Sequence, residues 1–407
     1  MSNTQKKNVP ELRFPEFEGE WEDVKFVSIF QEVSNKTSDL AKYPLFSLTV
    51  EKGITPKTER YKRDFLVKKS DNFKIVEPRD IVYNPMNVTL GAIDLSKYNY
   101  DIALSGYYHV MKIINSFNPY FISNFLKTEK MIIHYKKIAT GSLMEKQRVH
   151  FSEFKNIIKK FPTNKEQQKI GGFFSKLDRQ IELEEQKLEL LQQQKKGYMQ
   201  KIFSQELRFK DENGNDYPEW EEKQLGEFAC KVTKKNIDKK YTETLTNSAE
   251  LGIISQRDFF DKEISNIDNI KNYYVVEEND FVYNPRISTY APFGPVNRNK
   301  LEKKGVMSPL YTVFRIQSID LNFIEFYFKS SKWYRFMALN GDSGARADRF
   351  SIKDKTFMEM PLYIPCMDEQ IKIGQFFDNI DKCIKNYQSK ISLLKKNKKS
   401  FLQKMFI

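Results

Sequence analysis

Histidine and cysteine are scarce in this chain of 407 residues, with three of each. Cys230, Cys366 and Cys383 lie far apart and none belongs to a CxxC pair, which excludes a zinc ribbon or a dithiol redox motif. A reduced, cytoplasmic setting is expected. His109, His134 and His150 are scattered without metal-ligand spacing, so they are read as surface or core residues rather than ligands or general bases. Neither a GxxxxGK[ST] phosphate loop nor a GxGxxG turn occurs, and no acidic cluster suggests a nuclease metal site. No apolar run approaches the roughly 18 residues that span a bilayer. The first ten residues lack the apolar stretch of a signal peptide. Catalysis, metal binding and cofactor binding are therefore not expected of this chain itself.

What is abundant is positive charge and repetition. A formal net charge of +13 and a pI near 9.2 point to a polyanionic partner, because lysine and arginine gain affinity by displacing counterions from phosphates. Charge alone leaves open the alternative of solvated lysines. The stretch Glu166–Phe203 returns at Glu369–Phe406, an offset of 203 positions, with about seventeen identities that include Phe173/Phe376, Asp178/Asp381 and Leu190/Leu393. Glu11-Leu12-Arg13-Phe14, followed by Trp21, likewise returns as Glu206-Leu207-Arg208-Phe209, followed by Trp220. The order is ELRF, domain, helix, twice over. Such cyclic order predicts that Ile407 lies near the segment before Glu11.

Each half carries short β-branched and apolar runs broken by turn formers. Ile75-Val76 leads through Asp80 to Val82-Tyr83-Asn84-Pro85, and Val275-Val276 leads through Asp280 to Val282-Tyr283-Asn284-Pro285, which read as strand, turn, strand. The NP turns superficially resemble an amino-methyltransferase NPP[FY] loop but lack the second proline and the aromatic, so they are read as strand ends. A further strand is expected at Tyr108–Ile113 and at Tyr311–Ile316, then one helix across Phe121–Tyr135 and one across Phe323–Met337. Pro162 and Pro365 precede the long helices, for which Thr163 or Asn164 and Asp368 are the candidate caps. The expected fold class is α+β. Its divisions are a first domain at 1–162, a helix at 163–205, a second domain at 206–365 and a second helix at 366–407.

Within the helices a 4-3 apolar spacing persists through Ile170, Phe174, Leu177, Ile181, Leu188 and Leu191, and through Ile373, Phe377, Ile380, Ile384, Ile391 and Leu394. Sustained over about five heptads, this is a coiled-coil signal. The alternative is two amphipathic helices, each packed on its own domain. Glu182, Glu184, Glu185 and Glu189 in the first helix face the lysine-rich second, and an antiparallel alignment brings Glu182 and Glu185 within reach of Lys390, Lys395 and Lys396. Lys195 and Lys398 interrupt the seam. Partner contact or snorkelling at the seam edge would each account for them. At about 1.5 Å per residue the helix runs roughly 57 Å, matching roughly 15 base pairs at about 3.4 Å each. Two similar domains on such a spacer suit a split DNA target.

The duplicated layout, the PxxxEQ-plus-helix segments starting at Pro162 and Pro365, and the Gly-to-Arg stretches Gly141–Arg148 and Gly344–Arg349 together resemble the specificity subunit of Type I restriction-modification enzymes. The resemblance covers nearly the whole chain. It implies two target recognition domains separated by two antiparallel helices, each domain reading one half of a bipartite double-stranded DNA target. It further implies two methyltransferase subunits docked on the helices, adenine methylation, and restriction/motor subunits in the full complex. S-adenosylmethionine, ATP and Mg would then be used only by those partners. A stand-alone DNA-bridging protein is the alternative.

Contacts to DNA are expected from polar loop residues, since base edges need Arg, Lys, Asn or Gln forks and phosphates need basic or hydroxyl donors. In the first half these are Lys57, Arg60, Lys62, Arg63, Asn87, Thr89, Ser105, Tyr107, Lys146, Gln147 and Arg148. Their counterparts are Gln256, Arg257, Arg286, Ser288, Thr289, Tyr290, Ser308, Tyr311, Ser343, Arg346 and Arg349. Arg286 and Arg346, beside turn formers at strand or helix ends, lead the set.

Overall fold

The runs Ile81-Val82-Tyr83 and Phe281-Val282-Tyr283 are buried along their whole length, as befits central strands covered on both faces. A computed structural model describes residues 8–57, 72–114, 117–141, 147–260, 270–343 and 348–407, with only the backbone at 259, 260 and 343. The chain divides into two units, Met1–Gln186 with Ser389–Ile407, and Lys187–Gln388. Among the described residues no helix is long and apolar enough to cross a membrane.

In the first unit the order is β1 (Glu22–Lys25), β2 (Phe30–Val33), β3 (Lys36–Thr37), β4 (Phe46–Thr49), β5 (Gly53–Pro56), β6 (Phe73–Val76), β7 (Ile81–Tyr83), β8 (Ile93–Leu95), β9 (Ile102–Ser105) and β10 (His109–Ile113). Helices α1 (Pro119–Leu126), α2 (Glu129–Ile138) and α3 (Phe151–Phe154), then β11 (Ile158–Phe161), lead into α4 (Asn164–Phe203). Strands β2-β10-β7-β8 form an antiparallel sheet, β3-β6-β9 a second, and β4-β5 a hairpin, while β1 pairs with β11.

The second unit repeats this plan. It runs β12 (Glu221–Gln224), α5 (Leu225–Phe228), β13 (Ala229–Lys231), β14 (Leu245–Ser248), β15 (Gly252–Ser255), α6 (Gln256–Phe260), β16 (Tyr274–Val276), β17 (Phe281–Tyr283), β18 (Val296–Arg298), β19 (Gly305–Met307) and β20 (Thr312–Ile316). Then come α7 (Leu321–Lys329), α8 (Tyr334–Asn340), β21 (Asp342–Ser343), β22 (Phe350–Ser351), α9 (Asp354–Met358), β23 (Pro361–Ile364) and α10 (Met367–Lys404). The sheet β13-β20-β17-β18 matches β2-β10-β7-β8 strand for strand.

The strand, turn, strand reading holds in both halves, with β6 and β7 entering different sheets, while two local expectations change. Arg79 (φ 70) and Asn279 (φ 67) turn the chain between the two strands of each half, and Asp80 and Asp280 each accept the N–H three residues back, at 2.9 and 2.8 Å. The single helices expected at Phe121–Tyr135 and Phe323–Met337 are each two. Thr128 ends one and caps the next, donating to Phe125 O at 2.8 Å and accepting from Met131 N at 3.4 Å, and Ser330 donates to Tyr327 O at 2.6 Å. Such side chains compete with the helix ladder for backbone groups. Finally, Thr163 caps α4, accepting from Glu166 N at 3.4 Å, whereas Asp368 is no cap. The α10 helix starts one residue before it, leaving Cys366 at the cap position and Asp368 in the first turn, where its charge suits the positive end of the dipole.

Each unit owns an aromatic core into which the long helices insert. In the first, Phe406 packs on Phe121 (5.3 Å), Phe125 (6.0 Å) and Phe174 (5.8 Å). In the second, the equivalent Phe203 packs on Phe323 (5.9 Å), Tyr327 (5.5 Å) and Phe377 (6.1 Å). The pairing of α4 with α10 is antiparallel within each unit. Phe173 meets Phe401 (5.1 Å), Glu185 meets Lys395 (2.6 Å) and Glu184 meets Lys390 (2.9 Å) in the first, while Tyr198 meets Phe376 (5.2 Å) in the second. All twelve apolar residues assigned to the seam are buried or half-buried. Glu182, by contrast, turns to Arg179 one helical turn away at 2.9 Å.

The cyclic order also has a physical form. Leu207 N donates to Lys201 O (3.1 Å) where α4 runs on into the second domain, and Leu12 N donates to Lys404 O (2.9 Å) at the end of α10. The same joint is thus made once through the covalent chain and once by a hydrogen bond, reinforced by Lys404 on Glu11 at 3.0 Å.

The ELRF and EQ repeats lock the domains to the helices. Arg13 grips Glu166 through Nε (2.8 Å) and Nη2 (2.7 Å), and Trp21 Nε1 donates to the same carboxylate at 3.4 Å. Arg208 grips Glu369 at 3.2 and 2.6 Å, with Trp220 donating at 3.1 Å. Gln167 and Gln370 donate to Pro162 O (3.0 Å) and Pro365 O (2.8 Å) and accept from Asn118 N (3.2 Å) and Asp320 N (2.9 Å).

Candidate nucleic-acid interface

Two loop clusters hold the described candidates, one in each unit. In both, the NP turn is stapled to the segment that ends the Gly-to-Arg stretch: Val149 N donates to Pro85 O (3.0 Å) and Phe350 N to Pro285 O (2.8 Å). The asparagines of the turn are spent locally, Asn84 and Asn284 each accepting at Oδ1 from the N–H two residues on, at 3.0 Å. This Asx geometry fixes what the turn presents to solvent.

In the first unit the staple brings Gln147 and Arg148 beside the turn that carries Asn87 and Thr89, and Arg148 reaches Tyr107 with its guanidinium carbon 5.3 Å from the ring centroid. Ser105 serves this turn, its Oγ accepting from Tyr107 N at 3.4 Å. Lys57 is exposed just after β5, its N–H donating to Leu45 O at 3.1 Å. Arg60, Lys62, Arg63 and Lys146 lie outside the described residues.

The second unit has a cleft of about 620 Å³ whose walls include Gln256, Arg286, Ser288, Tyr290 and Tyr311, five of the residues named from sequence. Thr289 is exposed beside this wall, Arg257 is exposed on α6, and Ser308 closes the turn before β20 by accepting from Leu310 N at 3.3 Å. Arg286 and Arg349 form an antiparallel β-bridge, so the two arginines stand opposite each other. The backbone of Ser343 pairs with Phe350 in β22, and Arg346 lies outside the described residues.

Sequence reasoning missed the amide floor of this cleft. Asn247 is 2% exposed; its Nδ2 donates to Val282 O (2.7 Å), its Oδ1 accepts from Asn297 Nδ2 (2.7 Å), and its carbonyl accepts from Asn284 Nδ2 (2.8 Å). Nothing in the run Leu245–Ser248 marks Asn247 as different from any polar residue at a strand end.

The charges are arranged by purpose. Scaffold arginines are neutralised: Arg13 by Glu166, Arg208 by Glu369, Arg298 by Glu325, and Arg315 by Asp280 and Glu277. Among the described residues, Arg148, Arg286 and Arg349 have no carboxylate partner. Two opposed arginines without a counterion are unfavourable in the free protein and suit an electronegative ligand.

No curated protein matches this sequence. The family model for the Type I restriction modification DNA specificity domain, however, matches residues 19–193 and again 217–396. The chain belongs to that family. Specificity subunits are DNA-recognition components rather than catalytic ones, in keeping with clusters built of arginine, amide and hydroxyl groups. The fold is similar to that of the Type I restriction-modification S subunit from M. genitalium, with a TM-score of 0.58 and 14% identity over 98% of this chain and 99% of that one. The HsdS subunit from Thermoanaerobacter tengcongensis aligns over 95% of this chain and 96% of its own, with 15% identity and a TM-score of 0.44.

Proposed function

We propose that this specificity subunit reads a bipartite DNA target, one half-site per recognition domain, and that its paired helices seat two methyltransferase subunits that methylate adenine within the target. Restriction/motor subunits join the full complex. S-adenosylmethionine, ATP and Mg are used by those partners, not by this chain.

The observation that carries this reading is the pair Arg286 and Arg349, opposed on a β-bridge without a carboxylate among the described residues, with Arg286 lining the cleft. Guanidinium forks of this kind match phosphate oxygens and guanine edges. The net charge of +13 supplies the long-range attraction that such contacts need. Co-expression with a candidate methyltransferase subunit tests it: a complex of two methyltransferase subunits to one specificity subunit is expected, and mapping of methylated genomic DNA should return a two-part motif. A chain that binds DNA but captures no methyltransferase would instead be a stand-alone bridging protein.

A further inference from the structure

Arg148, half-buried, is held through both its backbone and its side chain. Its N–H donates to Thr140 O (2.9 Å) and its carbonyl accepts from Thr140 N (2.9 Å), which fixes the backbone. Its guanidinium lies over Tyr107, the carbon 5.3 Å from the ring centroid, within cation–π range. The backbone turn that carries Tyr107 is itself closely held. Tyr108 N donates to Ser105 O (3.1 Å), and Gly106 packs so closely that a Cβ there would lie 2.3 Å from Asn72 O.

A guanidinium held over an aromatic ring loses much of its freedom to rotate while its N–H donors stay available to a ligand. That is the order required by a bidentate contact to two acceptors in one plane, such as guanine O6 and N7. A phosphate contact gains little from it, since any nearby cation serves. In the second unit the residue one before the matching Tyr311 is Leu310, 60% exposed, so that position offers no ring to an arginine.

We propose that Arg148, positioned by Tyr107, reads a guanine through O6 and N7 in the half-site of the first unit. This rests on the DNA-recognition reading above and names one base of it. Among the described residues the second unit shows no such pair.

The test uses the full-length chain in complex with its methyltransferase partner, titrated on duplexes of its own methylated sequence with 7-deazaguanine placed at each guanine in turn. At one position in one half-site, loss of N7 should weaken wild-type binding about tenfold and leave Arg148→Ala binding unchanged. Tyr107→Phe keeps the ring and should behave as wild type. Tyr107→Ala should approach Arg148→Ala at that position alone, with unaltered discrimination at the other half-site reporting intact folding. Equal loss by Arg148→Ala on every duplex, with a shallower salt dependence, makes the residue a phosphate contact and overturns the proposal. So does a wild-type complex indifferent to every 7-deazaguanine. A wild-type complex with no two-part target is the separate failure of the functional reading.

Discussion

Lys195 and Asp381 meet at 2.5 Å between the paired helices of the second unit, and their counterparts 203 positions away in the repeat, Lys398 and Asp178, meet at 2.5 Å in the first. The two lysines that interrupt the apolar seam are therefore neither left snorkelling nor free for a partner. Each is held by an aspartate identical in both copies. A polar pair inside a seam specifies register, because sliding the helices leaves a half-buried charge alone. Asp381→Lys should lower stability by about 1–2 kcal/mol in urea unfolding. Adding Lys195→Asp should restore most of the loss, and a double-mutant cycle without coupling would refute the register role.

Arg13 and Glu166 make the stronger lock. Glu166 is 1% exposed, so removing Arg13 leaves a buried carboxylate whose one remaining side-chain donor among the described residues is the Trp21 indole. Arg13→Ala should cost about 3 kcal/mol, and Arg208→Ala the same in the second unit, where Glu369 is fully buried. Denaturant titration with probes in each unit would separate the two losses.

Adjacent glycines in α4 should respond oppositely to alanine. A Cβ on Gly171 would lie 2.3 Å from Asn118 Oδ1, which caps α1, and 2.9 Å from Phe121 N. At Gly172 nothing lies within 4 Å. Gly171→Ala should therefore destabilise by about 1–3 kcal/mol through overpacking, and Gly172→Ala should stabilise by about 0.5–1 kcal/mol through helix propensity. Thermal melts of the two variants provide the comparison.

Asp80 and Asp280 occupy equivalent buried turns with different partners. Burial pushes Asp80 up to about 6, opposed by the Glu77 N–H and by Lys112, while Asp280 takes a two-pronged contact from Arg315 at 2.7 and 3.1 Å. A folded-state value above the unfolded one means that the native protein holds the proton more tightly. Stability from this group thus falls as pH rises between about 4 and 6, by about 3 kcal/mol in total. Asp80→Asn, which can still accept from Glu77 N, should flatten that fall and raise stability at pH 7. Asp280→Asn should lower it, and melting curves across pH 4–8 would expose a wrong sign.

The repeat makes the architecture legible in the sequence itself. Duplicated sequence implies duplicated structure, and the 4-3 spacing marks the helices whatever the domains do. ELRF and EQ were visible as landmarks, but their meaning was not. Arg13 and Glu166 lie far apart in sequence, and only the fold shows that identity at both sites reflects one ion pair. Thr128 looked like part of a helix because apolar spacing continues across it, whereas its hydroxyl caps the next helix. Asn247 left no trace at all, since a buried amide network has no periodicity to betray it.

The opposed arginines Arg286 and Arg349 permit a test that separates binding residues from structural ones. Like charges facing across a β-bridge repel, and among the described residues neither has a carboxylate to offset that repulsion. A structural arginine, when removed, costs stability; here removal should cost none. Arg286→Ala is expected to leave the melting temperature unchanged or raised by a degree or two, the return of about 0.2–0.5 kcal/mol. The same change should weaken DNA binding about tenfold or more, because a charge-assisted fork to base or phosphate is lost. Arg349→Ala should do likewise, and the double variant should show less than additive loss if both arginines grip one feature of the DNA. The slope of binding against salt then assigns the contact. A shallower slope with equal loss on all sequences marks a phosphate, and an unchanged slope with relaxed preference at one position marks a base. A drop in melting temperature matching that of Arg208→Ala would show instead that Arg286 belongs to the scaffold.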